Sequence, residues 1–163
     1  MVNRFDAVKA MVAVSSLPYI DESMRYSSTS YDREGYNRDY DQRLYIDEKG
    51  HQVLMDVKGP GCVCKLFLPT VGSPDDFLHV YIDDCRTPLI SGSIQDIFSG
   101  QIPYIPKELV EINVPGVKGT VRQSGYIMYM PIPFSKGIKI TTNADSGQLF
   151  YYHIDYVVYP PET

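Results

Sequence analysis

A polar stretch from Ser27 to Tyr45 carries the side chains best suited to chemistry. Around a single glycine, Gly35, it groups charged and amide side chains with four tyrosines. The charged and amide groups of interest are Asp32, Arg33, Asn37, Arg38, Asp39 and Asp41. Apolar residues follow neither a helical nor a strand period there, so the stretch is predicted to be a loop. A loop of this composition, held on a rigid scaffold, is a common setting for binding residues.

The aspartates of this stretch could serve either catalysis or binding. Hydrolysis of a glycosidic bond typically needs two carboxyl groups at a fixed separation, one of them protonated as the general acid. Arg33 and Arg38 are expected to hold the carboxyl pKa values low by charge pairing, which makes poor general acids. We therefore interpret Asp32 and Asp39 as hydrogen-bonding groups for a sugar. A salt-bridged surface loop is the alternative.

A second candidate group lies in the last aromatic segment of the chain. His153 and Asp155 stand two residues apart in a predicted strand, so their side chains point to the same face, about 7 Å apart along it. They could line a polar pocket, or they could form a hydrogen-bonded pair at an interface. Both readings remain open from the sequence.

Motifs for other chemistries do not occur in the sequence. It has no nucleophile elbow, phosphate loop, dinucleotide fingerprint or zinc signature. The three cysteines, Cys62, Cys64 and Cys85, form an odd set without a disulfide pattern and are expected to be reduced thiols. Alternation in their strand predicts that Cys62 and Cys64 face inward together with Leu66 and Leu68. No metal and no cofactor are expected.

The composition indicates one soluble globular domain. The chain has 163 residues, of which 44% are hydrophobic and 21% charged, and a net charge of -5. No basic patch is present, which argues against a nucleic-acid partner. No apolar run approaches the length that crosses a membrane, and no signal peptide is visible, so a cytoplasmic location is expected unless a leader has been removed. The 14 tyrosines and the lack of tryptophan suit sugar contacts, interfaces or strands.

The remaining elements form the scaffold for these residues. Period-two alternation and intervening turns predict strands at 44–47, 52–58, 62–69, 77–83, 88–90, 126–131 (leading into 132–134), 137–142 and 148–159. A helix is predicted at 3–14, and a single helical turn at 94–98 within a long excursion over 93–119. The fold class is all-β, a jelly-roll β-sandwich of about eight antiparallel strands with one short N-terminal helix. The predicted single domain divides into a helix and arm (1–26), the polar loop (27–43), the sandwich (44–159) and a linker-like end (160–163).

Four segments carry a family resemblance, in the same order over essentially the whole chain. Residues 30–39 resemble a "Ser-x-Asp-Arg-x-Gly-x-Asn-x-Asp" signature, and residues 56–63 resemble a "Lys-Gly-Pro-Gly" strand bend. Residues 125–134 resemble a segment with a tyrosine followed by Pro-hydrophobic-Pro-Phe, and residues 151–156 a strand that closes a first domain. On these motifs the chain resembles the N-terminal jelly-roll half of glycoside hydrolase family 172, formerly a domain-of-unknown-function family.

The resemblance implies a function and an assembly. Members act on α-fructofuranosides and difructose anhydride, and related members act on arabinofuranosyl linkages. They have two tandem jelly rolls, assemble as trimers or dimers of trimers, and place active sites at subunit contacts. The catalytic glutamate pair lies in the second jelly roll, so no catalytic residue is expected in this chain. The signature loop implies sugar-binding roles for Asp32, Arg33, Asn37 and Asp39, beside the candidates His153 and Asp155.

Together these observations predict a carbohydrate-active jelly-roll domain or subunit that contributes sugar-binding residues to a composite site. The expected partners are a furanoside-containing oligosaccharide and either copies of the chain, as a trimer or hexamer, or a second jelly-roll domain. Joined to that second domain it would form a glycoside hydrolase; alone it is expected to be inactive. The alternative is a non-catalytic assembly module of the capsid-like, double-jelly-roll type. A lone hydrolase that uses its own carboxylates is a third possibility.

Overall fold

The computed structural model describes residues 23–73, 75–114, 123–144 and 150–160. These residues form two antiparallel β-sheets packed face to face. The strands are β1 (Met24–Thr29), β2 (Tyr45–Ile46), β3 (Gln52–Lys58), β4 (Gly61–Val71), β5 (Phe77–Ile82), β6 (Ile90–Ser93), β7 (Val110–Val114), β8 (Gln123–Met128), β9 (Ile132–Phe134), β10 (Gly137–Thr142) and β11 (Tyr151–Val158). One short helix, α1 (Ile94–Phe98), and 3-10 turns at Asp39–Asp41 and Lys107–Leu109 complete the described part.

The strand order is that of a jelly roll. The first sheet runs β1-β11-β4-β8-β7, with β9 also paired to β4, and the second runs β2-β3-β10-β5-β6. Consecutive strands β3 and β4 lie in different sheets, and the returning strands β10 and β11 pair with them, β10 with β3 and β11 with β4. Early strands thus meet late ones across both sheets, as in double-sheet jelly rolls. The predicted all-β fold is confirmed, with eleven strands in the described part rather than about eight.

The core lies between the two sheets and makes the scaffold rigid. Both sheets contribute side chains that are at most 1% exposed, among them Leu66, Leu68, Tyr126, Ile140 and Ile154. Full burial of one large apolar side chain favours folding by about 1.5–3 kcal/mol, so a set of this size dominates the stability of the sandwich. The connecting loops extend from the two sheets that this core holds together.

Strong alternation gave correct element boundaries. Strands β3 and β10 begin and end where the sequence predicted them, at residues 52–58 and 137–142. The predicted helical turn at 94–98 is helix α1. The Ser93 side-chain oxygen caps this helix by accepting a hydrogen bond of 3.0 Å from the N–H of Asp96, the usual role of serine at a helix start.

Two strands were missed, and three predictions fall outside the described residues. Strand β1 covers residues assigned to the arm and the polar loop; its side chains are mostly exposed, so apolar alternation is weak. Strand β7 lies inside the segment predicted as an excursion from the sheet. The helix at 3–14, the later part of the excursion (115–119) and the last three residues (161–163) of the linker-like end lie outside the part that the structure describes.

A β-bulge interrupts the alternation of β4. Asp155 of β11 pairs with Lys65, whereas the next residue, Tyr156, pairs with Val63. Cys64 is therefore the extra residue on β4, opposite no residue of β11. A bulge of this kind reverses the side-chain phase along the strand.

The bulge places the cysteines on a different face from the one predicted. Val63 and Leu66 both pack in the main core, although they are three residues apart. Cys62 instead packs with Val157 in a small separate cluster, with Cys64 at its edge. The prediction that Cys62 and Cys64 face inward with Leu66 was wrong, because period-two alternation does not reveal a bulge.

Candidate functional site

The Asp32 loop, residues 30–41, leads from β1 in the first sheet toward β2 in the second. Its first residue is fixed to the sandwich, since the Ser30 N–H donates to the Tyr152 carbonyl at 3.2 Å and Ser30 Oγ accepts from the Tyr152 N–H at 3.3 Å. Near its other end the Tyr40 carbonyl accepts a 3.2 Å hydrogen bond from the Phe150 N–H. Both ends of the loop are therefore hydrogen-bonded to the start of β11 or to the residue just before it.

The carboxylate of Asp32 organises this loop from within. Its Oδ1 accepts from the N–H of Glu34 at 2.9 Å, and its Oδ2 accepts from the N–H groups of Tyr36 and Arg38, each at 3.0 Å. The Asp32 N–H in turn donates to Oδ1 of Asp39 at 2.7 Å. Side-chain oxygens that satisfy local backbone N–H groups in this way stabilise compact turns. Both oxygens of Asp32 are thus engaged with the backbone of its own loop.

Two positive backbone angles make this wrapping possible. Gly35 has φ of 80° and Asn37 has φ of 58°, a region that glycine enters without cost and asparagine more readily than most residues. With these two residues in the left-handed region, three backbone N–H groups turn toward one carboxylate. The signature positions of Gly35 and Asn37 therefore have a conformational reason in addition to any contact with a ligand.

The electrostatics of Asp32 suit a structural anion rather than an acid. The hydrogen bonds from the Glu34 and Arg38 N–H groups are the main causes that lower the pKa of Asp32 below its ordinary value of 3.8, and slight desolvation opposes them. The charge of Arg38 contributes in the same direction but is the smallest cause. The sequence correctly predicted a low pKa for Asp32; its main cause is the backbone rather than the arginines.

Other side chains of the loop point outward. Tyr36 is 72% exposed and Tyr31 is 57% exposed. The Arg33 guanidinium lies 4.7 Å from the centre of the Tyr31 ring and donates at 3.4 Å to the carbonyls of Tyr31 and Thr29. Asn37 is exposed and Asp39 is half-buried. The loop therefore presents a flat aromatic surface beside polar groups on a fixed backbone.

The second candidate group forms a hydrogen-bonded cluster across three strands. Asp155 Oδ1 accepts from Ser27 Oγ at 2.6 Å and lies 2.8 Å from Nε2 of His153, while Lys65 Nζ lies 3.8 Å from Oδ2. Partial desolvation acts to raise the pKa of Asp155, but the Ser27 hydrogen bond and the His153 interactions outweigh it, so the pKa lies below its ordinary value. Ser27, Asp155 and Lys65 are also register partners on β1, β11 and β4.

This cluster has the residue types of a Ser-His-Asp triad but not its connectivity. In a triad the histidine lies between the serine and the carboxylate, so that it can remove the serine proton. Asp155 is the central group of this cluster, and Ser27 already donates to that carboxylate. The arrangement holds strands together and does not activate a nucleophile.

Comparison with known protein families identifies the chain. The model of the GH172 first beta-sandwich domain matches residues 22–163. The chain belongs to glycoside hydrolase family 172. The resemblance drawn from the four sequence motifs is thereby confirmed. A comparison with curated proteins gives no match.

Within this family 172 domain the six predicted site residues fall into two neighbouring groups. Four lie on the Asp32 loop: Asp32, Arg33, Asn37 and Asp39. The other two lie on β11, where His153 pairs with Thr29, the residue just before the loop, and Asp155 is two positions further from it. Among the described residues no hydrogen bond joins the two groups directly.

In the same part of the chain, no helix is long and apolar enough to cross a membrane.

A cleft of about 590 Å³ on the outward face of the second sheet was not anticipated. There the Tyr45 hydroxyl hydrogen-bonds to the Asp56 carboxylate, which is the largest cause that raises the pKa of Tyr45 to about 12. Lys139 Nζ lies 3.4 Å from Asp47. Lys139 and Asp56 carry opposite charges and are register partners on β10 and β3. These charges are the feature of the sequence that could have indicated the cleft.

A row of aromatic rings also lies on this outward face. The His51 ring packs against Phe77 at a centroid distance of 5.0 Å, and Phe77 stacks on His79 at 4.2 Å. Desolvation, with the charges of His51 and Lys49, lowers the pKa of His79. These histidines belong to a packed aromatic cluster rather than to the loop that carries the family signature.

Proposed function

We propose that this domain supplies sugar-binding residues to a furanoside site that another domain or subunit completes. The observation that carries the proposal is the Asp32 loop, whose backbone is fixed by one internal carboxylate while aromatic and polar side chains face solvent. Binding loops with a fixed backbone lose little conformational entropy when a ligand binds, which favours affinity. Membership of a glycoside hydrolase family makes a sugar the natural ligand for this surface.

The loop residues have different roles in this proposal. Tyr36 offers a broad exposed ring for the apolar face of a sugar, and Asn37 offers both a donor and an acceptor for hydroxyl groups. Asp39 uses only Oδ1 within the loop, so its second oxygen can accept from a sugar hydroxyl. Asp32 acts as a positioning residue, because both of its oxygens are occupied by backbone N–H groups. Arg33 supports Tyr31 through the stacking contact described above.

The catalytic groups of the composite site are assigned to the partner rather than to this domain. A general acid needs a raised pKa, whereas the pKa values of Asp32 and Asp155 are lowered. The His153–Asp155 pair is proposed as a polar rim beside the loop. The family resemblance assigns the catalytic glutamate pair to a second jelly roll, and copies of the chain or such a second domain are the proposed partners.

Calorimetric titration with methyl and aryl furanosides tests the proposal. Tyr36→Ala should weaken binding about tenfold, because stacking contacts on aromatic rings contribute about 1–1.5 kcal/mol. Asn37→Gly removes the amide but keeps the left-handed backbone accessible, so it should weaken binding without disordering the loop. Tyr104→Ala removes a tyrosine elsewhere that is also largely exposed, at 57%, and should leave affinity unchanged. Unchanged affinity in folded Tyr36→Ala protein, or no binding by the unaltered chain, would contradict the proposal.

A second candidate function, an assembly module, is favoured by the edge strands. Met24 on β1 is 60% exposed and Ile46 on β2 is 61% exposed, and within the described residues both strands lie at the edge of their sheets. Exposed apolar side chains on an unpaired strand edge indicate a contact surface. In this reading the Asp32 loop, which connects these two edges, also contacts a neighbouring subunit. Sedimentation and light scattering should show a trimer or hexamer; a strict monomer at micromolar concentration would count against it.

A further inference from the structure

The bulge in β4 creates a reactive-thiol environment outside the Asp32 loop. Cys62 and Cys64 flank Val63, and both are free thiols. Cys62 is only 2% exposed, whereas Cys64, the extra residue of the bulge, is half-buried and lines a cleft of about 480 Å³. A reagent in solution can therefore reach Cys64 but not its neighbour.

The cleft over Cys64 carries positive charge. Arg25 and Lys65 both line it, and their side chains come from β1 and β4 on either side of β11. Lys65 is partly neutralised by Asp155 at 3.8 Å, while Arg25 has no carboxylate partner among the described residues. Tyrosine rings form other parts of the wall: Tyr26, Tyr129 and Tyr156. The cleft is therefore suited to a small anionic molecule.

The two thiols have opposite acid–base character. The side-chain interaction with Cys62 is the largest cause that lowers the pKa of Cys64, and the charge of Arg25 assists it, while desolvation and the charge of Asp155 oppose them. The hydrogen bond to Cys64 and burial raise the pKa of Cys62, whose Sγ also lies 3.3 Å from the Val63 carbonyl. Of the two thiols, the accessible Cys64 therefore loses its proton more readily, and the thiolate is the form of cysteine that attacks electrophiles.

We propose that Cys64 is a modification site for disulfides of small anionic thiols. The thiol proton of Cys64 passes to solvent, and the Sγ thiolate attacks one sulfur of the small disulfide. A bond forms between Sγ and that sulfur, the original S–S bond breaks, and the second sulfur leaves as a thiolate that takes a proton from solvent. Cys64 is oxidised to a mixed disulfide while one half of the reagent is reduced to a free thiol.

Site-resolved labelling of the unaltered chain tests this proposal, with Cys85 as the internal control. Cys85 is exposed and follows Asp83 and Asp84, so it lacks the cationic surroundings. Under first-order conditions with glutathione disulfide, peptide mass spectrometry should find that Cys64 reacts about tenfold faster than Cys85. With the neutral hydroxyethyl disulfide the ratio should fall to about threefold, because the cationic lining no longer attracts the reagent and only the larger thiolate fraction of Cys64 remains, partly offset by its lower nucleophilicity.

A charge variant tests whether the cationic lining, rather than exposure alone, determines the reactivity of Cys64. Arg25→Gln, at an exposed position on an edge strand, should slow the Cys64 reaction with glutathione disulfide several-fold and change the reaction with the neutral disulfide much less. Arg86→Gln, beside Cys85, should leave the Cys64 rate unchanged. Modification of Cys85 as fast as Cys64, or equal preference of Cys64 for the anionic and neutral reagents, would overturn the proposal.

Discussion

The backbone N–H of Asp32 donates a 2.7 Å hydrogen bond to Oδ1 of Asp39, and this contact closes a loop whose other polar bonds converge on the Asp32 carboxylate. The two aspartates are seven positions apart along the chain. Their separation therefore reflects the geometry of a closed loop and not that of an acid–base pair. In the proposed function, the loop holds a ligand in a fixed place and another domain or subunit supplies the bond-breaking groups.

Removing the Asp32 carboxylate should release the loop without unfolding the sandwich. In Asp32→Ala the N–H groups of Glu34, Tyr36 and Arg38 lose their acceptor, so their hydrogen exchange should become at least about tenfold faster, as expected for an exposed turn. Asp32→Asn retains one acceptor oxygen and should give an intermediate effect. Exchange in β3 and β10 should not change. Glu34→Gln, which alters an exposed side chain in the same loop, is the matched control and should leave all three amides protected.

Acid should disorder the loop only below the ordinary pKa of an aspartate. Because the folded-state pKa of Asp32 is lowered from 3.8, its contribution to loop order is complete above pH 3.8 and is lost as the pH falls through the lowered folded value. An NMR titration that follows the amides of Glu34, Tyr36 and Arg38 should show this single low-pH step. The step should disappear in Asp32→Asn. A midpoint above 3.8 would contradict the hydrogen-bond geometry.

Some features of this loop could be predicted from the sequence, and others could not. Its polar character, its boundary near β2 and the direction of the Asp32 pKa shift were predicted from composition and nearby charges, although backbone hydrogen bonds are the main cause of that shift. The actual acceptor role of Asp32 depends on φ at Gly35 and Asn37, which no apolar period encodes. Side-chain type alone also did not show that Asp155, rather than His153, is the central group of its cluster.

The fold likewise has elements that the sequence predicted well and elements that it did not. Strands β3 and β10 have apolar residues at alternate positions in the sequence and were located to the residue. Strand β1 is an edge strand with exposed side chains, so its signal was weak. The bulge at Cys64 depends on the register between β4 and β11, a long-range property that determines which face each cysteine occupies.

A methyl group at Gly61 should be strongly destabilising. A Cβ built there would lie 2.4 Å from the Val157 carbonyl oxygen and 2.5 Å from a ring carbon of Phe134, so β4, β9 and β11 would have to separate. Overpacking of this kind costs about 1–3 kcal/mol or more. Gly50→Ala is the control: it has open space around the Cβ but φ of 80°, so only about 1–2 kcal/mol of backbone strain is expected. Urea denaturation measures the change in the free energy of unfolding for both variants.

The hydrogen bond between Ser27 and Asp155 should hold β1 against β11. Ser27→Ala is expected to lower the free energy of unfolding by about 0.5–1 kcal/mol, because the pair is partly exposed to solvent. Hydrogen exchange should increase mainly in β1. A double-mutant cycle with Asp155→Asn should show coupling between the two sites. Additive effects would indicate that the bond contributes nothing to stability.

The central claim is that a fixed Asp32 loop binds a furanoside. Chemical-shift mapping of the folded chain during titration with a methyl furanoside tests it most directly. The predicted result is saturable shifts confined to the Asp32 loop and the adjacent start of β11, with the Tyr36 and Asn37 amides among the largest. Saturable shifts that map to another surface, such as the outward face of the second sheet, with the loop amides unmoved, would contradict it.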